Sequence, residues 1–223
     1  MEQHQDKAEK ALKYAKSLGA NEASVGFSDG EGFSVTARNR AIETVQDYKD
    51  QSFSITVYLD KSVGSASSNN LSESAIKATI DKAFSLSSLT ATDDCNGLAD
   101  KERMAPGAKD LDLYFPWNLD IKEAETMAIE CEASALEYDD KVINSEGATV
   151  GSYVNQSLYA NSHGFSGETK STGHSISCTA IASDNGLMEM DYDYTSARHY
   201  NCLLYTSDAA DDMQCVDLGG RRI

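Results

Sequence analysis

Hydrophobic and polar positions follow two rhythms along this chain, and the change from one to the other marks its elements. Over residues 6–18, Ala8, Ala11, Leu12 and Ala15 recur at helical spacing, which predicts a short amphipathic helix with Gly19 as its left-handed stop. The period then falls to two. Residues 23–27, 33–38, 42–48 and 53–59 read as strands, broken by Asp29-Gly30-Glu31-Gly32, Arg38-Asn39-Arg40 and Asp60-Lys61-Ser62. Phe53, Ile55, Val57 and Leu59 alternate with Ser54, Thr56 and Tyr58, as expected of a sheet covered on one face.

A Ser/Asn loop at 65–70 follows, and Ser72 is placed to cap a helix reaching about residue 89, with Ala75, Ile76, Thr79, Ile80, Ala83 and Phe84 on its apolar face. Residues 91–119 lose both rhythms and contain Pro106, Pro116 and the single tryptophan, Trp117, so they read as a connector. Asp120 and Glu123 then form a D-x-x-E capping pattern ahead of a buried stripe of Ala124, Met127, Ala128, Cys131 and Ala135. Beyond Lys141 only strands are predicted, at 142–146, 151–160, 174–183 and 187–194. The order implies an α+β chain with antiparallel sheets and packed helices. It divides into a βββα-type N-terminal lobe at 1–90, a connector at 91–119, and a second helix with a strand-rich region at 120–202.

Charge narrows the range of partners. With 36 acidic against 19 basic residues the net charge is −17, a field that repels phosphate backbones and anionic lipid, so neither nucleic acid nor membrane is an expected partner. No apolar run approaches the roughly 18–20 residues of a spanning helix, and the polar first residues lack a hydrophobic signal core, which predicts a cytoplasmic protein. Of the five cysteines, Cys95, Cys131 and Cys178 are widely spaced and no C-x-x-C occurs. Neither a disulfide framework nor a zinc ribbon is indicated.

Candidate chemistry is sparse. A zinc peptidase needs closely spaced imidazole or carboxylate ligands, yet His163 and His174 stand eleven positions apart with no H-E-x-x-H in the chain. His163 therefore reads as a loop hydrogen-bonding residue and His174 as a strand end, and no metal ligand or catalytic residue is assigned. Asp191, Tyr192, Asp193 and Tyr194 alternate acid with aromatic, which puts the two carboxylates on one sheet face about 7 Å apart. That pattern reads as a solvated strand face with the tyrosines packed behind it, and it also suits a peptide-binding or subunit-contact edge. No G-x-S-x-G and no phosphate-binding glycine spacing is present. Cys178, inside an apolar alternating run, reads as buried and unreactive.

The segments RNRAIETVQDYKDQSFSITVYLDKSVGSASSNNLS, NGLADKERMAP, DLDLYFPWNLDIKEAE, NSEGA, NSHGF and DYDYTSAR together resemble the TldD/PmbA family, on its PmbA (TldE) side, over about residues 8–198. The resemblance implies an N-terminal portion of a subunit of a zinc-dependent peptidase assembly acting on unfolded peptides, modified peptide antibiotics and antitoxins. In that family the zinc motif belongs to the second half of the TldD-type partner, so this chain is expected to carry no cofactor and to be a non-catalytic accessory subunit. Expected partners are a TldD-like subunit and peptide substrates, with Tyr192, Tyr194, Asp191, Asp193 and His163 as contact residues. A self-sufficient peptidase with zinc ligands in a missing second half, a peptide-binding module and a scaffold stand as alternatives. Residues 203–223 fit neither the family nor the strand pattern. They resemble translated sequencing-adaptor read-through and are expected to add little to stability.

Overall fold

The computed structural model describes residues 2–105 and 110–203. Helix α1 (Glu2–Ser17) precedes strands β1 (Glu22–Arg38), β2 (Ala41–Leu59) and β3 (Ser62–Ser68) and helix α2 (Glu73–Ser87). Helix α3 (Ile121–Leu136) and strands β4 (Val142–Asn161), β5 (Ser166–Asp184) and β6 (Leu187–Ala197) follow. The strands form one six-stranded sheet in the order β3-β2-β1-β4-β5-β6, so the fold is α+β with an antiparallel sheet, as the patterning implied.

The strands are longer than the periodicity suggested. Four predicted strands are two, because β1 runs straight through Asp29-Gly30-Glu31-Gly32 and β2 through residues 49–52. Gly32 is not a turn residue: a Cβ there would lie 2.5 Å from the Ser152 carbonyl oxygen and 2.7 Å from the Tyr48 hydroxyl, so glycine is required by close approach. Likewise β4 joins the two strands expected at 142–146 and 151–160, and β5 begins at Ser166, eight residues before His174. The predicted 65–70 loop is mostly strand. Its serines pair with β2 in the register Thr56↔Ser65, Ser54↔Ser67 and Phe53↔Ser68, and propensity yields to a hairpin covered by α2.

Turn chemistry explains the hairpins. Asn39 and Arg40 (φ 56° and 58°), Asp60 and Lys61 (46° and 70°), and Asn185 and Gly186 (52° and 82°) each place two successive residues at positive φ. That conformation matches the twist of the flanking strands in two-residue turns. Helix starts also follow the sequence: the Ser72 hydroxyl accepts from the Ala75 N–H, and Asp120 and Glu123 form a complete reciprocal capping box.

The described residues divide into two compact units that alternate along the chain rather than splitting at 90 and 120: 2–30, 49–105, 110–112 and 155–170 make one, and 31–48, 113–154 and 171–203 the other. Residues 106–109 of the expected connector, including Pro106, lie outside the described residues. The first unit buries Phe27, Phe53, Ile55 and Val57 with Ala8, Ala11 and Ala15 of α1 and Ile76, Ile80 and Ala83 of α2. Each large side chain so buried contributes about 1.5–3 kcal/mol. The second unit buries Val35, Ala37, Val150 and Ile176 against Ala124 and Ala128 of α3. Leu203 is fully buried there as well. The stretch set apart from 203 onward thus begins with a core residue; 204–223 lie outside the described residues.

Candidate functional site

In the second unit, the outermost strand, β6, is where the sequence placed its aromatic and acidic pattern. Pairing with β5 in the register Ser177↔Tyr194, Cys178↔Asp193, Thr179↔Tyr192, Ala180↔Asp191 and Ile181↔Met190 fixes which residues share a face. Tyr194, Tyr192, Met190 and Met188 stand on one face with Ser177, Thr179, Ile181 and Ser183. Asp193, Asp191 and Glu189 stand on the other, the face where Ile176 packs against α3.

The tyrosines are not packed behind the acids. Tyr192 and Tyr194 are 65% and 63% exposed and stack on each other with centroids 6.3 Å apart and planes 16° from parallel. Met188 and Met190 continue the stripe at 66% and 65% exposure. The result is a row of four large side chains left in water, which single scattered apolar residues would not produce. No strand pairs with the outer edge of β6 among the described residues.

Each acid guards that edge. The Tyr192 N–H donates to Asp191 Oδ1 and the Tyr194 N–H to Asp193 Oδ1, both at 2.8 Å. These are donors that the β5 ladder leaves over, and an incoming strand has to displace the carboxylates to reach them. Charged groups at an edge are a recognised block to unwanted pairing. The two aspartates therefore cover main-chain donors.

His163, the fifth predicted contact residue, belongs to the other unit. Its Nδ1 is 3.0 Å from the Ala99 carbonyl and its Nε2 2.9 Å from Glu22 Oε1, so both ring nitrogens are committed to holding a loop. Glu22 also accepts from the Leu98 N–H at 2.7 Å. His174 is no strand end: it is buried inside β5, where Nε2 donates to the Phe115 carbonyl and Nδ1 accepts from the Ser152 hydroxyl, each at 2.9 Å. Burial first, opposed by the Phe115 hydrogen bond and aided by nearby His199, pushes its pKa below the usual imidazole value. Trp117 meets the His174 ring edge-on at 5.4 Å and stacks on Tyr200 at 5.5 Å.

Sequence reasoning missed Glu132, a fully buried carboxylate on α3. Oε1 accepts from the Asn39 N–H at 2.8 Å and from the Ser145 hydroxyl, and Oε2 from the Arg40 N–H at 2.7 Å. Two successive positive-φ residues turn their N–H groups into a concave anion nest, and Glu132 fills it. Desolvation pushes its pKa up, but the hydrogen bonds from Ser145, Arg40 and Asn39 outweigh that and hold it below the usual carboxylate range. Glu132 stands four residues after Ala128 and eight after Ala124 on the buried stripe, a spacing visible in the sequence, but its main-chain partners Asn39 and Arg40 lie far away along the chain. No group of three or more His, Cys, Asp or Glu side chains is arranged to hold a metal among the described residues, and none of their helices is long and apolar enough to cross a membrane.

Comparison with known proteins fits this fold. Residues 23–87 match the model of the PmbA/TldA metallopeptidase domain 1, and residues 114–219 that of the PmbA/TldA metallopeptidase central domain. The chain belongs to the PmbA/TldD family. The central-domain match runs past 203, into the stretch read from sequence as unlike the family.

Among curated relatives, the metalloprotease PmbA homolog of Haemophilus influenzae is 39% identical over 193 residues, covering 86% of this chain and 43% of that protein. The metalloprotease PmbA of Escherichia coli O157:H7 is 40% identical over 176 residues, covering 79% and 39%. The chain therefore spans about two-fifths of the length of these family members. A solved protein of Bacteroides thetaiotaomicron, named as a candidate modulator of DNA gyrase, superposes with TM-score 0.85 at 26% identity over all of this chain and 52% of its own. The solved TldE of Thermococcus kodakarensis gives TM-score 0.64 at 15% identity, over 92% and 47%, which is a likeness of fold.

Proposed function

We propose that this PmbA/TldD-family chain is a cytoplasmic, metal-free accessory part of a zinc-dependent peptidase assembly, and that it lays an extended peptide along β6 while a TldD-type subunit supplies the metal. The observation that carries the reading is the stripe of Met188, Met190, Tyr192 and Tyr194 beside an edge that no described strand occupies. Strand addition draws affinity from main-chain pairing and selectivity from alternate side chains; β6 offers the second directly and the first once the peptide displaces the Asp191 and Asp193 carboxylates. Stacked tyrosines give contact area at low entropic cost, and methionines adapt to varied side chains, which suits a substrate class of unfolded peptides. Acids on the opposite face of β6 and a net charge of −17 favour basic peptides. Zinc would perform its Lewis-acid work in the partner subunit.

Co-expression of this chain with a TldD-type subunit from the same genome tests the partnership. Co-purification of the two, with peptide hydrolysis exceeding that of the TldD-type subunit alone, is the expected outcome. A TldD-type subunit that is fully active alone and elutes without this chain would falsify the accessory role.

A further inference from the structure

On β6 the main-chain groups that point outward and the side chains that form the apolar stripe belong to the same residues. The Tyr192 and Tyr194 N–H groups bond to the Asp191 and Asp193 carboxylates instead of to β5. In an antiparallel ladder alternate residues turn both main-chain groups to the partner strand, and the residues between them turn both away. The outward groups are therefore those of Tyr194, Tyr192 and Met190, while Asp193 and Asp191 turn theirs inward to Cys178 and Ala180. Side chains divide by the same parity: Tyr194, Tyr192, Met190 and Met188 on one face, Asp193, Asp191 and Glu189 on the other, all of them exposed. Neither β6 nor the β5 segment paired with it contains a lysine or arginine to neutralise the three acids.

We infer, resting on the reading that β6 takes up an extended peptide, that the site selects peptides in which apolar and basic residues alternate, with Asp191, Asp193 and Glu189 as its specificity-determining residues. Each residue of an added strand shares a face with the β6 residue opposite it. Peptide positions opposite Tyr194, Tyr192, Met190 and Met188 meet the stripe, and the three positions between them meet Asp193, Asp191 and Glu189. Because the period of two holds for either strand direction, parallel and antiparallel peptides obey one pattern. When peptide carbonyls accept from the Tyr192 and Tyr194 N–H groups, the two aspartates are released to pair with basic side chains. What guards the edge in the free chain thus reads the peptide in the bound one. A slip of one residue would set apolar side chains against three carboxylates, so the alternation also fixes the register.

The test uses two fluorescein-labelled peptides of one composition, four leucines and three lysines, the length of the segment from Met188 to Tyr194. In one the residues alternate, and in the other the lysines are contiguous, so net charge and apolar content are equal. Titrated with the whole chain and followed by anisotropy, the alternating peptide should bind about tenfold tighter, the combined effect of three exposed charge pairs. Asp191→Asn/Asp193→Asn/Glu189→Gln should abolish that preference while both peptides still bind. Equal affinity for the two peptides, weakened alike by Tyr192→Ala/Tyr194→Ala, would overturn the inference and leave the β6 site standing. Binding of neither peptide would overturn both. A preference that survives the amide variant would assign the discrimination to other residues and overturn the inference, as would a dimer of the chain in sedimentation that Tyr192→Ala/Tyr194→Ala dissociates, since a second copy would then be the occupant.

Discussion

Glu132 shows how one buried charge sets a hairpin. Its three hydrogen bonds satisfy two main-chain donors at positive φ and the Ser145 hydroxyl. Glu132→Ala should cost about 3 kcal/mol, because buried donors are then left without partners. Urea unfolding measures this; a change below about 0.5 kcal/mol would mean that water replaces the carboxylate at no cost. His174 gives a pH signature. Its pKa is depressed in the fold, so the unfolded chain binds the proton more readily, and stability present above the unfolded value of about 6.5 is lost as pH falls below it. Glu132 is depressed too, but its contribution is lost lower, as pH falls below about 4.5. The melting temperature of the unaltered chain should therefore drop between about pH 7 and pH 5, and the drop should flatten in His174→Gln. An equal slope in both proteins would assign the titration elsewhere. Neither residue's role was legible in the sequence: a glutamate on a helix reads as solvated until its partners from other elements appear. Ser72 and Asp120 were legible, since a capping side chain and the N–H that donates to it lie within three residues.

At the scale of elements, a strand's hydrophobic period marks only the part that is buried. Phe53, Ile55 and Val57 were therefore found and the exposed middle of β2 was not. Strand β6 was recognised from its alternation, but its exposure was not, because alternation says that two faces differ and not that either is covered. The guarding of the edge makes a separate expectation. Asp191→Ala with Asp193→Ala uncovers the Tyr192 and Tyr194 N–H groups, and the variant should self-associate at concentrations where the unaltered chain does not. The corresponding Asn variants keep a side-chain acceptor and should associate less. Sedimentation velocity reads the difference, and identical profiles for all three proteins would show that the carboxylates do not protect the edge.

For the whole molecule, the sequence conveyed the α+β class and the family, because both rest on order along the chain. It did not convey two interleaved cores, since β1, β2, β4 and β5 each contribute residues to both units, a partition that no linear boundary describes. Nor did it show that Leu203 closes the second core. What the fold leaves uncovered on β6 carries the functional account, and a fluorescently labelled, unstructured basic peptide titrated with this chain and followed by anisotropy tests it most directly. The account predicts saturable binding that weakens about tenfold in Tyr192→Ala/Tyr194→Ala, the loss expected from removing two aromatic contacts, with thermal stability nearly unchanged because both rings are exposed. Equal affinity in the variant, or no binding by the unaltered chain, would contradict it.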